Sequence, residues 1–175
     1  MMNMDVMRRL VAEAETGDRA MPTAHAALAY WNFDAGTLKD LRYSANAIYT
    51  FKEHGVPRIL RLVHADDGVC ARAREDIEAE LDFIAYLRTR GISAMQPLPS
   101  LSGAYIHTVE SPYAQFHATV FEKAPGNLRL DPENLTEAQL IAWGKTIAEV
   151  HKAAETYAPP SRTPPALVAK HHRDD

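Results

Sequence analysis

Cysteine is almost missing from this sequence. Cys70 stands alone among 175 residues, which excludes an internal disulfide and a cysteine-built zinc site and fits a reducing cytoplasm. No apolar run approaches the roughly 18 residues a transmembrane helix needs, so no membrane partner is expected. The N-terminus, Met1-Met2-Asn3-Met4-Asp5, has neither the cationic flank nor the apolar core of a secretory signal. A basic excess is missing too: 19 Lys and Arg face 23 Asp and Glu, a net charge of −4, which argues against a nucleic-acid partner. Several chemical motifs are also absent. The eight histidines (His25, His54, His64, His107, His117, His151, His171, His172) show neither HExxH nor HxxxH spacing, so no metal site is expected. There is no GxSxG elbow, and Cys70 has no CxxC partner.

What is present is the composition of a folded protein. The chain is 46% apolar and 24% charged, and its length suits one domain or two small lobes. Met4, Met7, Leu10, Val11 and Ala14 recur at helical spacing. After Pro22, Thr23 is placed to cap a short helix from Ala24 to Trp31. From Thr37 to His64 the sequence turns to β-formers broken by turn residues, which predicts strands near 37–43, 46–52 and 57–64. His54-Gly55 is the turn between the last two, and Pro57 can only open its strand. A helix follows over Ala71–Arg90, with Ile77, Leu81, Ile84 and Leu87 as its apolar stripe and Gly91 just past its end. Two further strands are predicted, over 103–107 and 115–121, before the break at Ala124-Pro125-Gly126-Asn127. Thr136 and Gln139 then form a capping box for a helix whose stripe is Leu140, Trp143, Ile147 and Val150. Beyond Tyr157, Pro159, Pro160, Pro164 and Pro165 predict a mobile tail. The expected class is α+β: a five-stranded antiparallel sheet with one packed helix, helices before it, and the start of a helical lobe after it.

Two features resist explanation by packing alone. Arg61 interrupts the apolar strand Arg58-Ile59-Leu60-Arg61-Leu62-Val63, where a guanidinium must reach the rim or meet an acid. Glu80 lies three residues after Ile77 and four before Ile84, so the helix turns it toward its apolar face. The two suggest a pair joining helix to sheet, serving either structure or the positioning of a ligand. The turn Ser44-Ala45-Asn46-Ala47 joins the first two strands. Its small residues suit either a backbone phosphate nest, though without GxGxxG or a Walker lysine, or an ordinary hairpin with Asn46 in the left-handed region.

Taken in order, these residues resemble the aminoglycoside phosphotransferase-like kinases, the group that includes type II homoserine kinase-like proteins. The resemblance runs from about residue 24 to residue 155. Ser44-Ala45-Asn46-Ala47-Ile48-Tyr49 resembles the family's nucleotide loop, and Arg61 takes the place of its phosphate-contacting Lys or Arg. Glu80 resembles the helix glutamate that pairs with that cation, and Val120 to Gly126 resembles the hinge that holds adenine. Gly144 and His151 fit the family's helix ending in histidine. The resemblance implies a protein kinase-like N-lobe that binds ATP through Ser44, Ala45, Asn46, Ala47, Arg61, Glu80, Glu122, Lys123 and Ala124. It divides the chain into helices over 1–36, the N-lobe over 37–122, the hinge and first C-lobe helix over 123–157, and a Pro-rich tail over 158–175.

The family's chemistry needs a catalytic Asp to orient an acceptor hydroxyl, and Asn and Asp ligands for Mg²⁺. No segment of this chain supplies them convincingly. His64-Ala65-Asp66 follows the third strand directly, and Ala71 stands where the motif's Asn, about five residues on, would be. His172-Arg173-Asp174 is followed by Asp175 alone. The implied function is therefore the ATP lobe of a kinase that phosphorylates a hydroxyl on a small molecule, inactive by itself, with Mg²⁺ expected only alongside a complete C-lobe. The alternative is a non-catalytic interaction module. In either case the uncovered part of the Leu140, Trp143 and Ile147 stripe would face a second copy or the missing C-lobe.

Overall fold

The computed structural model describes residues 4–15, 21–65, 72–125 and 135–159. Cys70, the Asp66-Asp67 pair, Gly126-Asn127 and the tail beyond Pro159 lie outside the described residues. Helix α1 (Met4–Glu15) buries Val6 and Leu10, and α2 (Pro22–Leu28) buries Thr23, Ala24, Ala27 and Leu28. Thr23 is not the cap expected of it. Met21 occupies that position and Pro22 opens the helix, where its missing N–H costs nothing. Thr23 instead donates its hydroxyl to Glu13 Oε1 at 2.9 Å, and Tyr113 donates to the same oxygen at 2.7 Å, fastening α1 and α2 to the β-sheet.

The sheet contains β1 (Lys39–Tyr43), β2 (Ala47–Glu53), β3 (Val56–His64), β4 (Pro97–Leu98), β5 (His107–Glu110) and β6 (Gln115–Glu122). All pairings are antiparallel, in the order β1-β2-β3-β6-β4, with β5 also on β6. Among the described residues there are thus six strands rather than the expected five. β4 pairs with Val120 and Phe121, and β5 with residues 115–118, so two short strands share the far edge of β6. A two-residue strand that is itself half proline carries no readable alternation, which is why β4 is not legible in the sequence. The strand expected over 103–107 begins at His107 instead, because Ser100 to Ala104 closes a turn with Gly103 at φ 84°. Asn46 is not in the left-handed region that the hairpin alternative gave it; in the separate β2–β3 turn His54 (φ 51°) and Gly55 (φ 79°) are. Both central residues of the β2–β3 turn therefore have positive φ, matching the twist of the strands they join. The Asp34 carboxylate accepts both of their N–H groups, at 3.0 and 2.8 Å.

Strand alternation gives the sheet two unlike faces. Tyr49, Phe51, Leu60, Leu62, Phe116, Ala118 and Val120 form one core with α1 and α2. Ile59, Val63 and Phe121 form a second core with Ile77 and Leu81 of α3 (Arg74–Thr89). Helix α3 starts three residues later than its pattern suggests, with Ala73 as N-cap, and stops before Gly91 at φ 78°. Helix α4 (Glu137–Ala154) has the expected capping box at Thr136 and Gln139. Its last turn is anchored on α3: Tyr86 donates to Ala153 O at 3.2 Å, and Tyr157, just beyond α4, donates to Asp82 Oδ2 at 2.6 Å. Earlier in α4 the stripe is uncovered, with Leu140, Trp143 and Ile147 exposed by 48, 55 and 41%. Among the described residues no helix is long and apolar enough to cross a membrane.

Candidate functional site

Arg61 occupies the middle of β3, between Ile48 on β2 and Thr119 on β6. Its side chain projects to the α3 face, as do those of Ile59 and Val63. A guanidinium in that position is tolerated because its charge is paired and two of its three nitrogens are engaged. Nε donates to Thr119 Oγ1 at 3.2 Å, and the guanidinium carbon lies 5.0 Å from the Phe121 ring centroid, a cation–π contact. Nη1 is ion-paired with Glu80 Oε1 at 2.5 Å, with the two side chains only 12% and 27% exposed. Nη2 is buried and has no partner among the described residues. An arginine with one buried, unanswered donor carries unused capacity for an acceptor.

Glu80 reaches the sheet because α3 buries Ile77 and Leu81 against it, which turns position 80 inward at helical spacing. Its second oxygen, Oε2, is paired with Arg72 Nη1. Burial by itself pushes the Glu80 carboxyl up, but hydrogen bonds and charge from Arg61 and Arg72 outweigh it, so the carboxyl lies below its ordinary 4.5. His107 and His117 are held below 6.5, chiefly by burial and secondarily by the positive charge of Arg74. All three groups have depressed values, so each contributes stability that is complete above its unfolded value and lost as pH falls through its folded one. Unfolding in urea should therefore show stability falling in two stages, below 6.5 for the histidines and below 4.5 for Glu80. His107→Gln with His117→Gln should abolish the first stage. A first stage that survives both substitutions would disprove this assignment.

The other residues singled out by sequence lie around this pair along the sheet. Ser44 to Ala47 form the β1–β2 turn, with Ser44 N–H donating to Asn46 O at 3.0 Å. Ala47 pairs with Leu62 and Ile48 with Arg61, so the turn opens one residue along the sheet from the arginine. Glu122 ends β6, and its N–H donates to Gln96 O at 2.9 Å. It lies three positions beyond Thr119, or about 10 Å from Arg61 along the strands. Glu122, Lys123 and Ala124 are exposed, and with Arg88, Met95 and Pro125 they line a cavity of about 210 Å³. His151, near the end of α4, is exposed.

A larger cavity, about 530 Å³, lies elsewhere. Leu81, Asp82 and Ala85 of α3 and Pro97, Tyr105 and Ile106 near β4 line it, and neither Arg61 nor Glu80 does. Arg88 lines both cavities, but the larger one is not taken as the functional site, because the Arg61–Glu80 pair does not open into it.

Sequence reasoning missed two members of the site. Thr119 reads as one more β-former, and only the β3–β6 register places its hydroxyl on Arg61. Arg72 falls within the helix expected over Ala71–Arg90 but precedes α3, so helical periodicity does not place it on Glu80. It is placed by its own N–H, which donates to His64 O at 3.0 Å.

No family model matches the chain. The amicoumacin kinase of Bacillus subtilis is 26% identical over 132 residues, which cover 75% of this chain and 38% of that protein. Among solved structures, amicoumacin kinase hAmiN in complex with AMP-PNP, Ca²⁺ and Ami superposes with a TM-score of 0.65 at 25% identity, over 88% of this chain and 44% of its own. The microcompartment-associated aminopropanol kinase also gives 0.65, at 27% identity, over 78% of this chain and 41% of its own. The chain spans about two fifths of the length of the relatives it matches.

Proposed function

From the premise that this chain is related to the aminoglycoside phosphotransferase-like kinases, we propose that it is their nucleotide-binding lobe and takes ATP on the α3 face of its sheet. One observation carries the reading: a strand arginine, ion-paired to a helix glutamate, retains a buried Nη2 with no partner among the described residues. A phosphate oxygen is the acceptor such a donor suits, through a charge-assisted hydrogen bond. In this reading Arg61 contacts phosphates, Glu80 orients it, and Ser44 to Ala47 cover them. The backbone from Glu122 to Ala124 meets the base about 10 Å away. A small-molecule hydroxyl would be the acceptor in a complete enzyme.

Among the described residues no group of three or more His, Cys, Asp or Glu side chains could hold a metal ion. Phosphoryl transfer also requires a carboxylate that orients the acceptor hydroxyl, and no described residue of this chain is assigned that role. We therefore expect binding without turnover.

The test is thermal. AMP-PNP at one hundred times its dissociation constant should stabilise the fold by about 2.7 kcal/mol, a rise of several degrees in Tm. Arg61→Met, which keeps a long apolar stem, should remove most of that rise. A wild-type Tm that does not move at millimolar nucleotide would sink the reading. It would favour the alternative, an interaction module, for which the uncovered stripe on α4 is the supporting observation.

A further inference from the structure

Glu80 uses both carboxylate oxygens, one on each of two arginines. Arg61 comes from the centre of the sheet, and Arg72 from the chain's return toward α3. Arg72 is itself held in place: besides its N–H on His64 O, its Nη2 donates to Asp76 O at 3.1 Å. The last torsion of a glutamate is broad and roughly two-fold, so one partner leaves the carboxylate plane loosely defined. Two partners on separate oxygens define it. The plane of the Arg61 guanidinium follows, since its Nε and Nη1 are committed to Thr119 and Glu80.

Charge points the same way. A lone Arg61–Glu80 pair is formally neutral and has little to offer an anion at range. A second arginine on the same carboxylate leaves the trio with a net positive charge, beside a donor that has no partner among the described residues. Among the described residues the charged groups that act on Glu80 are Arg61 from β3 and Arg72. β6 contributes the uncharged Thr119 and Phe121, and Asp76, one turn earlier on α3, contributes a backbone oxygen.

We propose that Arg72 is a positioning residue of the nucleotide site, holding Glu80 so that Arg61 keeps its Nη2 edge available to a phosphate and the cluster keeps its positive charge. The proposal rests on the ATP reading above, and its test separates the two. In nucleotide-free protein, the titration of the Glu80 carboxyl carbon is followed by NMR and assigned with Glu80→Gln. Arg72→Gln should raise the midpoint, and Arg72→Lys should raise it less. In parallel, Arg72→Gln should weaken AMP-PNP binding about tenfold, the effect of losing one charge-assisted contact, and Arg72→Lys should recover most of it. Arg72→Met, which keeps the aliphatic stem without the charge, replaces Arg72→Gln if that variant lacks a native circular dichroism spectrum.

An unchanged midpoint overturns the proposal whatever the nucleotide data show. A raised midpoint with unchanged affinity also overturns it, by reducing Arg72 to a structural partner. If wild-type protein binds no AMP-PNP, the ATP reading fails and the positioning role fails with it. The carboxyl titration then still reports whether Arg72 holds Glu80.

Discussion

Glu80→Ala should lower the free energy of unfolding by about 3 kcal/mol at neutral pH, measured by urea denaturation and circular dichroism. The cost comes from what the substitution leaves behind. Arg72 is 36% exposed and can turn its charge to water, whereas Arg61 is only 12% exposed and is fixed in the middle of a strand. A buried cation without its counterion is among the few single-residue losses of that size. Glu80→Gln, which keeps an oxygen acceptor on nearly the same stem, should cost less than Glu80→Ala. Reversing the logic, Arg61→Met should cost less than Glu80→Ala, because Glu80 keeps Arg72 and an apolar stem suits the Ile59 and Val63 face. A loss under about 1 kcal/mol for Glu80→Ala, the value of an exposed ion pair, would show that the contact is solvated.

Phe116→Ala should cost about 4 kcal/mol, the upper part of the range for emptying an aromatic site in a core. Phe116 is fully buried on β6, facing α1 and α2, with the rings of His64 at 5.9 Å and Tyr113 at 6.3 Å. Its neighbours cannot collapse into the gap easily, since Tyr113 is held by its bond to Glu13 and β6 is paired on both sides. Phe116 and Arg61 lie on opposite faces of the sheet. Folded Phe116→Ala should therefore bind AMP-PNP as wild type does, while Arg61→Met should bind it poorly. If Phe116→Ala weakens nucleotide binding as much as Arg61→Met does, the nucleotide does not select the α3 face, and the proposed site is wrong. A stability loss below about 1.5 kcal/mol would mean that the core closes over the cavity.

Both experiments use the chemistry of the two faces, and the faces differ in how openly the sequence declares them. Arg61 and Glu80 are legible because each violates a pattern: a charge in an apolar strand, and a charge on the apolar side of a helix. The capping box at Thr136 and the helix stop at Gly91 are legible for a related reason, since backbone conformation and local hydrogen bonds are decided by neighbours in sequence. Thr23 shows the limit of local reasoning. A threonine ahead of an apolar run has the chemistry of a cap, yet Pro22 opens the helix and Glu13 takes the hydroxyl. The left-handed residue at His54, in a turn separate from that of Asn46, is a similar case, settled by the β2–β3 turn and by the Asp34 carboxylate that binds it.

Sequence by itself determined the α+β order, the helices, most strands and the two odd charges, because these follow from periodicity and from the cost of burying a charge alone. Only the tertiary structure decided that β4 and β5 share one edge of β6. It alone also decided that Thr119 and Arg72 join Arg61 and Glu80, and that one Arg61 nitrogen has no partner among the described residues. Those contacts join residues brought together by strand register and by the return of the chain to His64, which no local pattern encodes.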